Sequence, residues 1–178
     1  QALNLLPVYQ TGFRAKHSCL DAAAVFRDMV IHSRARKEHT AVCLLDIRKA
    51  FDSVWVDGLW WKLGNFGISR LVCGIITSFL SERTATVSVG KGISSEFSIE
   101  RGVPQGTVLG PHLYNLFVAD QPNPVKGGHF LQYADDTANI GCSKNVRSAL
   151  HILQEQNDLL EEFYSKWGIA VNGGKSEL

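Results

Sequence analysis

The sequence predicts an α+β fold, in which helices mix with antiparallel strands, and three stretches carry that prediction. Residues 131–140 read Leu131, Gln132, Tyr133, Ala134, Asp135, Asp136, Thr137, Ala138, Asn139, Ile140, two adjacent acids between β-prone runs. Asp tolerates turn geometry and caps its own backbone, so this is a β-hairpin with two carboxylates at its tip. Residues 40–47 form a near-continuous apolar run interrupted near its end by Asp46. That pattern suggests a buried strand carrying a carboxylate at its end. Val146, Leu150, Leu153, Asn157, Leu160 and Tyr164 recur at spacings of three and four, the mark of a long amphipathic helix.

The remaining elements follow in order. Residues 1–17 have no clear period, and Gln10-Thr11-Gly12-Phe13-Arg14 reads as a loop. Ser18, with Asp21 three residues on, caps a helix running to about Arg36, with Leu20, Ala24, Val25, Met29 and Ile31 as its apolar positions. After the 40–47 strand, a helix spans about 57–66 and ends at Gly67; another spans about 69–80. Residues 85–89 and 96–99 alternate around Gly90-Lys91-Gly92, a two-strand meander. Arg101-Gly102-Val103-Pro104-Gln105-Gly106 permits an irregular turn and close backbone approach to a ligand. An apolar helix over about 107–119 tolerates Gly110-Pro111 in its first turns. Gly168 ends the long helix, residues 169–172 form a short strand, and Gly173-Gly174-Lys175 is a tight turn.

Composition narrows the class. The 178 residues suit one domain, or one domain and a piece of another. At 45% hydrophobic and 20% charged, the chain can bury a real core. Residues 1–50 carry eight Lys/Arg against four Asp/Glu, and residues 151–178 carry two against five, so the amino-terminal part is the better candidate for facing nucleic acid. Cys19, Cys43, Cys73 and Cys142 are widely spaced and lack zinc-site patterns, which fits reduced thiols in an intracellular protein. No apolar run reaches the length of about 18 residues that marks a membrane span. The chain does not begin with Met, and Lys175-Ser176-Glu177-Leu178 forms no closing element, so it reads as a piece of something longer.

Three acids stand out: Asp46 at a strand end, and Asp135 and Asp136 at a hairpin tip. If the two strands are neighbours, the carboxylates converge. Converging carboxylates repel unless a cation lies between them, and hard oxygen ligands of this kind suit Mg²⁺ together with substrate phosphates. A pair of such ions can clamp both oxygens of a phosphoryl transfer. An aspartate-nucleophile phosphatase built on Asp46 would want a second acid at the position of Arg48, which excludes it.

These residues also carry a family resemblance. Asp46-Ile-Arg-Lys-Ala-Phe51-Asp52, Gly102-Val-Pro-Gln-Gly106, Tyr133-Ala-Asp-Asp136 and Trp167-Gly…Asn172-Gly-Gly-Lys175 stand in the order and spacing of reverse transcriptase motifs. Gln10-Thr-Gly-Phe-Arg14, Leu109-Gly-Pro111 and Tyr114-Asn115 resemble the non-LTR (LINE-type, jockey-like) retrotransposon enzymes. The resemblance implies a polymerase palm with an antiparallel sheet backed by helices, partial fingers over residues 1–40, palm over 41–178 and no thumb. It implies an RNA-directed DNA polymerase core using two Mg²⁺ ions (Mn²⁺ as a substitute), an RNA template, a DNA primer and deoxynucleoside triphosphates, in the cytoplasm and nucleus. Asp46, Asp135 and Asp136 would be the catalytic metal carboxylates, helped by the Ile47 carbonyl. Phe51, Gln105, Gly106 and Lys175 would contact the nucleotide; Tyr133, Arg14 and Lys16 would contact primer or template. The competing class is an inert retroelement remnant that only binds nucleic acid or a partner.

Overall fold

The computed structural model describes residues 5–177; residues 1–4 and Leu178, the outer limits of the two expected regions, lie outside the described residues. Helix α1 (Cys19–Ala35) leads into strand β1 (His39–Leu45). A one-turn helix α2 (Ala50–Ser53), α3 (Val56–Asn65) and α4 (Arg70–Leu80) follow. A ribbon then pairs β2 (Thr84–Ala85) with β5 (Phe97–Ser98) and β3 (Ser88–Val89) with β4 (Gly92–Ile93). Helix α5 (Leu109–Phe117), strands β6 (Gly128–Tyr133) and β7 (Asp136–Ser143), and α6 (Val146–Trp167) complete the chain. The expected α+β architecture is what forms.

The site rests on one antiparallel sheet ordered β1-β7-β6. Both outer strands are bordered by segments distant in sequence. Along β6, Gln132 donates its N–H to the Tyr9 carbonyl (2.8 Å) and accepts from the Thr11 N–H (2.8 Å). Along β1, Leu44 and Glu177 exchange backbone bonds of 2.8 and 3.0 Å, and Ile47 bridges Val171.

The two faces differ because side chains alternate along a strand. Phe130, Gln132, Thr137 and Asn139 point to the face that α6 covers. That face is partly polar: Gln156 donates to Asn139 Oδ1 (2.5 Å) and to the Ile140 carbonyl (3.0 Å), and Gln132 donates to Gln121 Oε1 (2.6 Å). Leu44, Leu131 and Ala138 point the other way, toward Ala22, Ala23 and Phe26 of α1. The apolar core lies between α3, α4, α5 and α6, where Leu59, Leu63, Leu113, Phe117 and Leu160 are buried. Burying each such side chain contributes about 1.5–3 kcal/mol.

Three expectations are corrected. The apolar positions assigned to α1 do not form a buried stripe: Leu20, Val25 and Ile31 are exposed, and Ser33 is the helix's buried residue. The helix faces the sheet through Ala22, Ala23 and Phe26, so Leu20, Val25 and Ile31 project outward. Strand β1 is also less buried than its composition suggests, with Leu44 on the face that α1 only partly covers. The meander is a broken ribbon of two-residue pairings rather than two continuous strands.

Lys62 on α3 is 1% exposed inside the core. Its ammonium donates to the Phe117 carbonyl and to Asp120, and it stands 3.6 Å from the centroid of the Trp167 ring. Burial pulls its pKa down to about 8, although Asp120 acts in the opposite direction. The unfolded chain therefore holds a proton between about pH 8 and 10.5 that the folded chain has released, and stability rises with pH across that window. The expected result is a melting temperature that climbs between pH 8 and 10 in the wild type but not in Lys62→Met. Parallel pH curves for the two would show that Lys62 stays charged.

Candidate active site

The register brings the three acids to one end of the sheet. Leu45 pairs with Thr137, so the next position places Asp46 opposite Asp136. Tyr133 pairs with Asp136 across a two-residue turn made by Ala134 and Asp135. Ala134 takes φ +59°, a left-handed conformation that costs a non-glycine residue roughly 1–2 kcal/mol. Asp135 is held above the usual carboxylate range, first by burial and then by the charges of Asp136 and Asp46. The three carboxylates thus face one another closely enough to repel.

Asp46 is fixed from the far edge. Asn172 donates its side-chain N–H to Asp46 Oδ2 (2.9 Å) and its backbone N–H to the Asp46 carbonyl (2.7 Å). Arg48 donates its N–H to Ala170 O (2.8 Å). These bonds flank Ile47 without using its own peptide groups. In an antiparallel ladder the Ile47 carbonyl then points to the opposite side, toward the acidic hairpin.

A cleft of about 540 Å³ opens at this end between the sheet and α1, lined by Asp46, Tyr133, Asp136 and Lys175 among others. Lys175 is exposed at its rim. Phe51 is half-buried; its ring lies 5.2 Å from that of Tyr114 and 6.4 Å from that of Phe13, which is in turn 6.4 Å from Tyr133. Phe51 is therefore joined to the hairpin by a run of aromatic rings. Burial leads the causes that raise the Tyr114 hydroxyl well above its ordinary pKa, with the nearby Asp135 and Asp136 adding to it.

The glycine-bracketed turn packs on α2. Gly102 has φ +84°, and a Cβ there would lie 2.7 Å from Asp52 Cα. Its N–H donates to Val54 O and that of Val103 to Phe51 O, both at 2.8 Å. Gln105 donates to Asp52 Oδ1 (2.8 Å), with Gly106 beside it at φ +76°. Gln105 and Phe51 thus belong to one packed unit.

The basic residues are placed differently. Arg14 is half-buried and donates to the carbonyls of Pro7 (3.2 Å) and Gln10 (3.1 Å), which ties its guanidinium to its own loop. Lys16 is exposed at φ +63°. Sequence reasoning did not assign roles to Phe13, Asn172 or Gln10. All three sat inside quoted motif blocks, but their contacts are with residues far along the chain.

A family model described as "Reverse transcriptase (RNA-dependent DNA polymerase)" matches residues 1–178. The chain belongs to the reverse transcriptase family. Within that family it is 38% identical over 177 residues to the RNA-directed DNA polymerase from mobile element jockey of Drosophila funebris, covering 96% of this chain and 19% of that protein. It is 33% identical to the probable RNA-directed DNA polymerase from transposon X-element of Drosophila melanogaster, over 99% of this chain and 20% of the relative. These are enzymes of non-LTR retrotransposons, as the motif blocks indicated. This reverse transcriptase segment spans about a fifth of the length of the curated relatives it matches. In fold it is similar to apo telomerase from Candida tropicalis, with TM-score 0.69, 16% identity, and coverage of 99% of this chain and 35% of that one.

The residues present fit the divalent ions that the family generally uses. Among the described residues, no three His, Cys, Asp or Glu form a ready-made cage. Mg²⁺, however, is commonly held by one or two carboxylates with substrate phosphates and waters completing its shell. The mutual repulsion of Asp46, Asp135 and Asp136 is what a cation would relieve.

Proposed function

We propose that this chain is the catalytic core of an RNA-directed DNA polymerase that copies retroelement RNA into DNA. The observation that carries the reading is the register-enforced meeting of Asp46 with the Asp135–Asp136 hairpin. Residues 1–40 would be partial fingers and residues 41–178 the palm, working in the cytoplasm and nucleus on an RNA template, a DNA primer and deoxynucleoside triphosphates.

Asp46, Asp135 and Asp136, with the Ile47 carbonyl, would hold two Mg²⁺ ions. Bound there, the ions supply charge neutralisation at the triphosphate and lower the pKa of the primer hydroxyl. Asn172 orients Asp46 for this task. Tyr133 would support the primer end, Gln105 and Gly106 the incoming nucleotide and template, and Lys175 the triphosphate from the cleft rim. Lys16 would meet backbone phosphate, and Arg14 would do so with whatever donors its loop leaves free.

Phe51 would pack against the deoxyribose and exclude a 2′-hydroxyl. Phe51→Val should then improve the ribonucleotide-to-deoxynucleotide ratio by roughly tenfold, about 1.4 kcal/mol of discrimination. Single-nucleotide kinetics with matched substrates test this; an unchanged ratio in a stably folded variant removes Phe51 from the site.

The function itself is tested by primer extension on an RNA template with the full-length protein that contains this chain. Extension should require a divalent cation and stop with a chelator. Binding of primer–template without extension would favour the binding-only remnant.

A further inference from the structure

The loop at residues 9–14 does more than border the sheet. Gln10 is 1% exposed, and its carboxamide meets both peptide groups of one residue. Its Nε2 donates to the Ala134 carbonyl (2.9 Å), and its Oε1 accepts from the Ala134 N–H (2.9 Å). The same Oε1 accepts from the Gly12 N–H (2.9 Å), which locks the amide's orientation. Ala134 is the left-handed residue of the turn that presents Asp135 and Asp136. An alanine at φ +59° persists where its surroundings over-determine it, and such strain gathers at functional sites.

Two further contacts hold the loop in place. Asn115 of α5, itself buried, donates to the Gly12 carbonyl (2.8 Å), and the Thr11 hydroxyl donates to the Gln132 carbonyl (2.8 Å). Gly12 fits because it has no side chain: a Cβ there would lie 2.1 Å from Ala134 N. The loop is thereby seated on the turn, with α5 behind it.

We infer that Gln10 is a positioning residue for the catalytic hairpin: its side-chain amide stands in for a neighbouring strand and holds Ala134 left-handed, which sets the direction of Asp135 and Asp136 toward Asp46. The inference rests on the polymerase reading for its effect on rate, and on the hydrogen bonds alone for its effect on the turn.

The charged groups around the clamp are Asp135 and Asp136 on the hairpin and Arg14 on the loop, which donates to the Gln10 backbone carbonyl. Gln10→Ala and Ala134→Gly leave these charges as they are, whereas Gln10→Glu adds a carboxylate beside them. In the full-length protein that contains this chain, Gln10→Ala should lower kcat for extension at least roughly tenfold, with little change in KM for the nucleotide. Gln10→Glu keeps the shape and both accepted bonds but sets a buried carboxylate oxygen against the Ala134 carbonyl, next to Asp135 and Asp136, and it should lower kcat at least as much as Gln10→Ala.

The deciding measurement is a double-mutant cycle. Glycine adopts positive φ without steric cost, so in an Ala134→Gly background the turn depends less on the clamp. Gln10→Ala should there cost at least roughly threefold less in kcat than it does alone. Additive losses would assign Gln10 to bulk packing and overturn the inference, as would full activity in a folded Gln10→Ala or Gln10→Glu protein. Amide exchange provides the second readout. Protection of the Ala134 N–H should be lost in Gln10→Ala while that of the β1–β7 ladder is kept; loss spread evenly over the sheet would overturn the local role. If the wild-type protein does not extend primers, the polymerase reading fails, and the exchange result still decides the clamp.

Discussion

Asp135→Asn in the full-length protein should abolish primer extension, with a loss of at least about a thousandfold, and leave the fold intact. The same holds for Asp46→Asn, and Asp136→Asn should be similar or slightly milder. A neutral amide cannot replace a carboxylate that shares a divalent cation with a triphosphate. A second readout comes from the protein without metal. Asp135 titrates above its ordinary value because of burial and of Asp136 and Asp46. A raised carboxyl contributes stability below its unfolded pKa and loses that contribution as pH rises through the folded value. At neutral pH the ionised group therefore opposes folding, and Asp135→Asn should raise the melting temperature of the metal-free chain. Near-normal extension by Asp135→Asn at millimolar Mg²⁺ would remove the metal assignment.

Gly12→Ala should come next in severity. The added Cβ would meet Ala134 N at 2.1 Å, Ala134 Cα at 2.9 Å and Tyr133 C at 2.9 Å, all backbone atoms of the acidic hairpin. Backbone cannot rotate aside as a flexible side chain does, so either the loop or the hairpin must move. Overpacking of this kind costs about 1–3 kcal/mol, and displacement of the acids by even an ångström reduces rate about a hundredfold. Melting curves and extension rates on the same variant check both effects. Wild-type values for the two would show that the loop yields without disturbing the site.

Much of the site was legible because its signals are local. The Asp135–Asp136 hairpin showed in two β-prone runs separated by turn-tolerant acids, and Asp46 showed as the one charge in an apolar run. The long helix showed in its spacing, and its observed span, Val146–Trp167, ends at Gly168 in the left-handed conformation. What the sequence hid depends on distant partners. Gln10 meets Ala134 across 124 positions and Asn172 meets Asp46 across 126, and nothing in either neighbourhood marks the pairing. Lys62 was missed for a different reason: a lysine within a helix normally reads as surface, and it takes the assembled rings of Phe117, Phe163 and Trp167, together with Asp120 and the Phe117 carbonyl, to make a buried ammonium tolerable. The apolar positions of α1 failed in the reverse sense, because a helical period shows that a stripe exists but not that anything covers it.

The borders of the three-stranded sheet have a consequence for how the molecule comes into being. A bare strand edge invites pairing with another chain. Here β6 is bordered at Gln132 by residues 9–11 and the end of β1 by residues 171–177, so the two guards lie about 160 residues apart along the chain. During translation β1 must wait, first for β7 and then for Glu177, before the Leu44 peptide groups on its outer side are paired. Closing loops of that length is slow relative to helix formation. The nascent chain thus passes through an interval in which its helices can form while one flank of β1 stays open to intermolecular pairing.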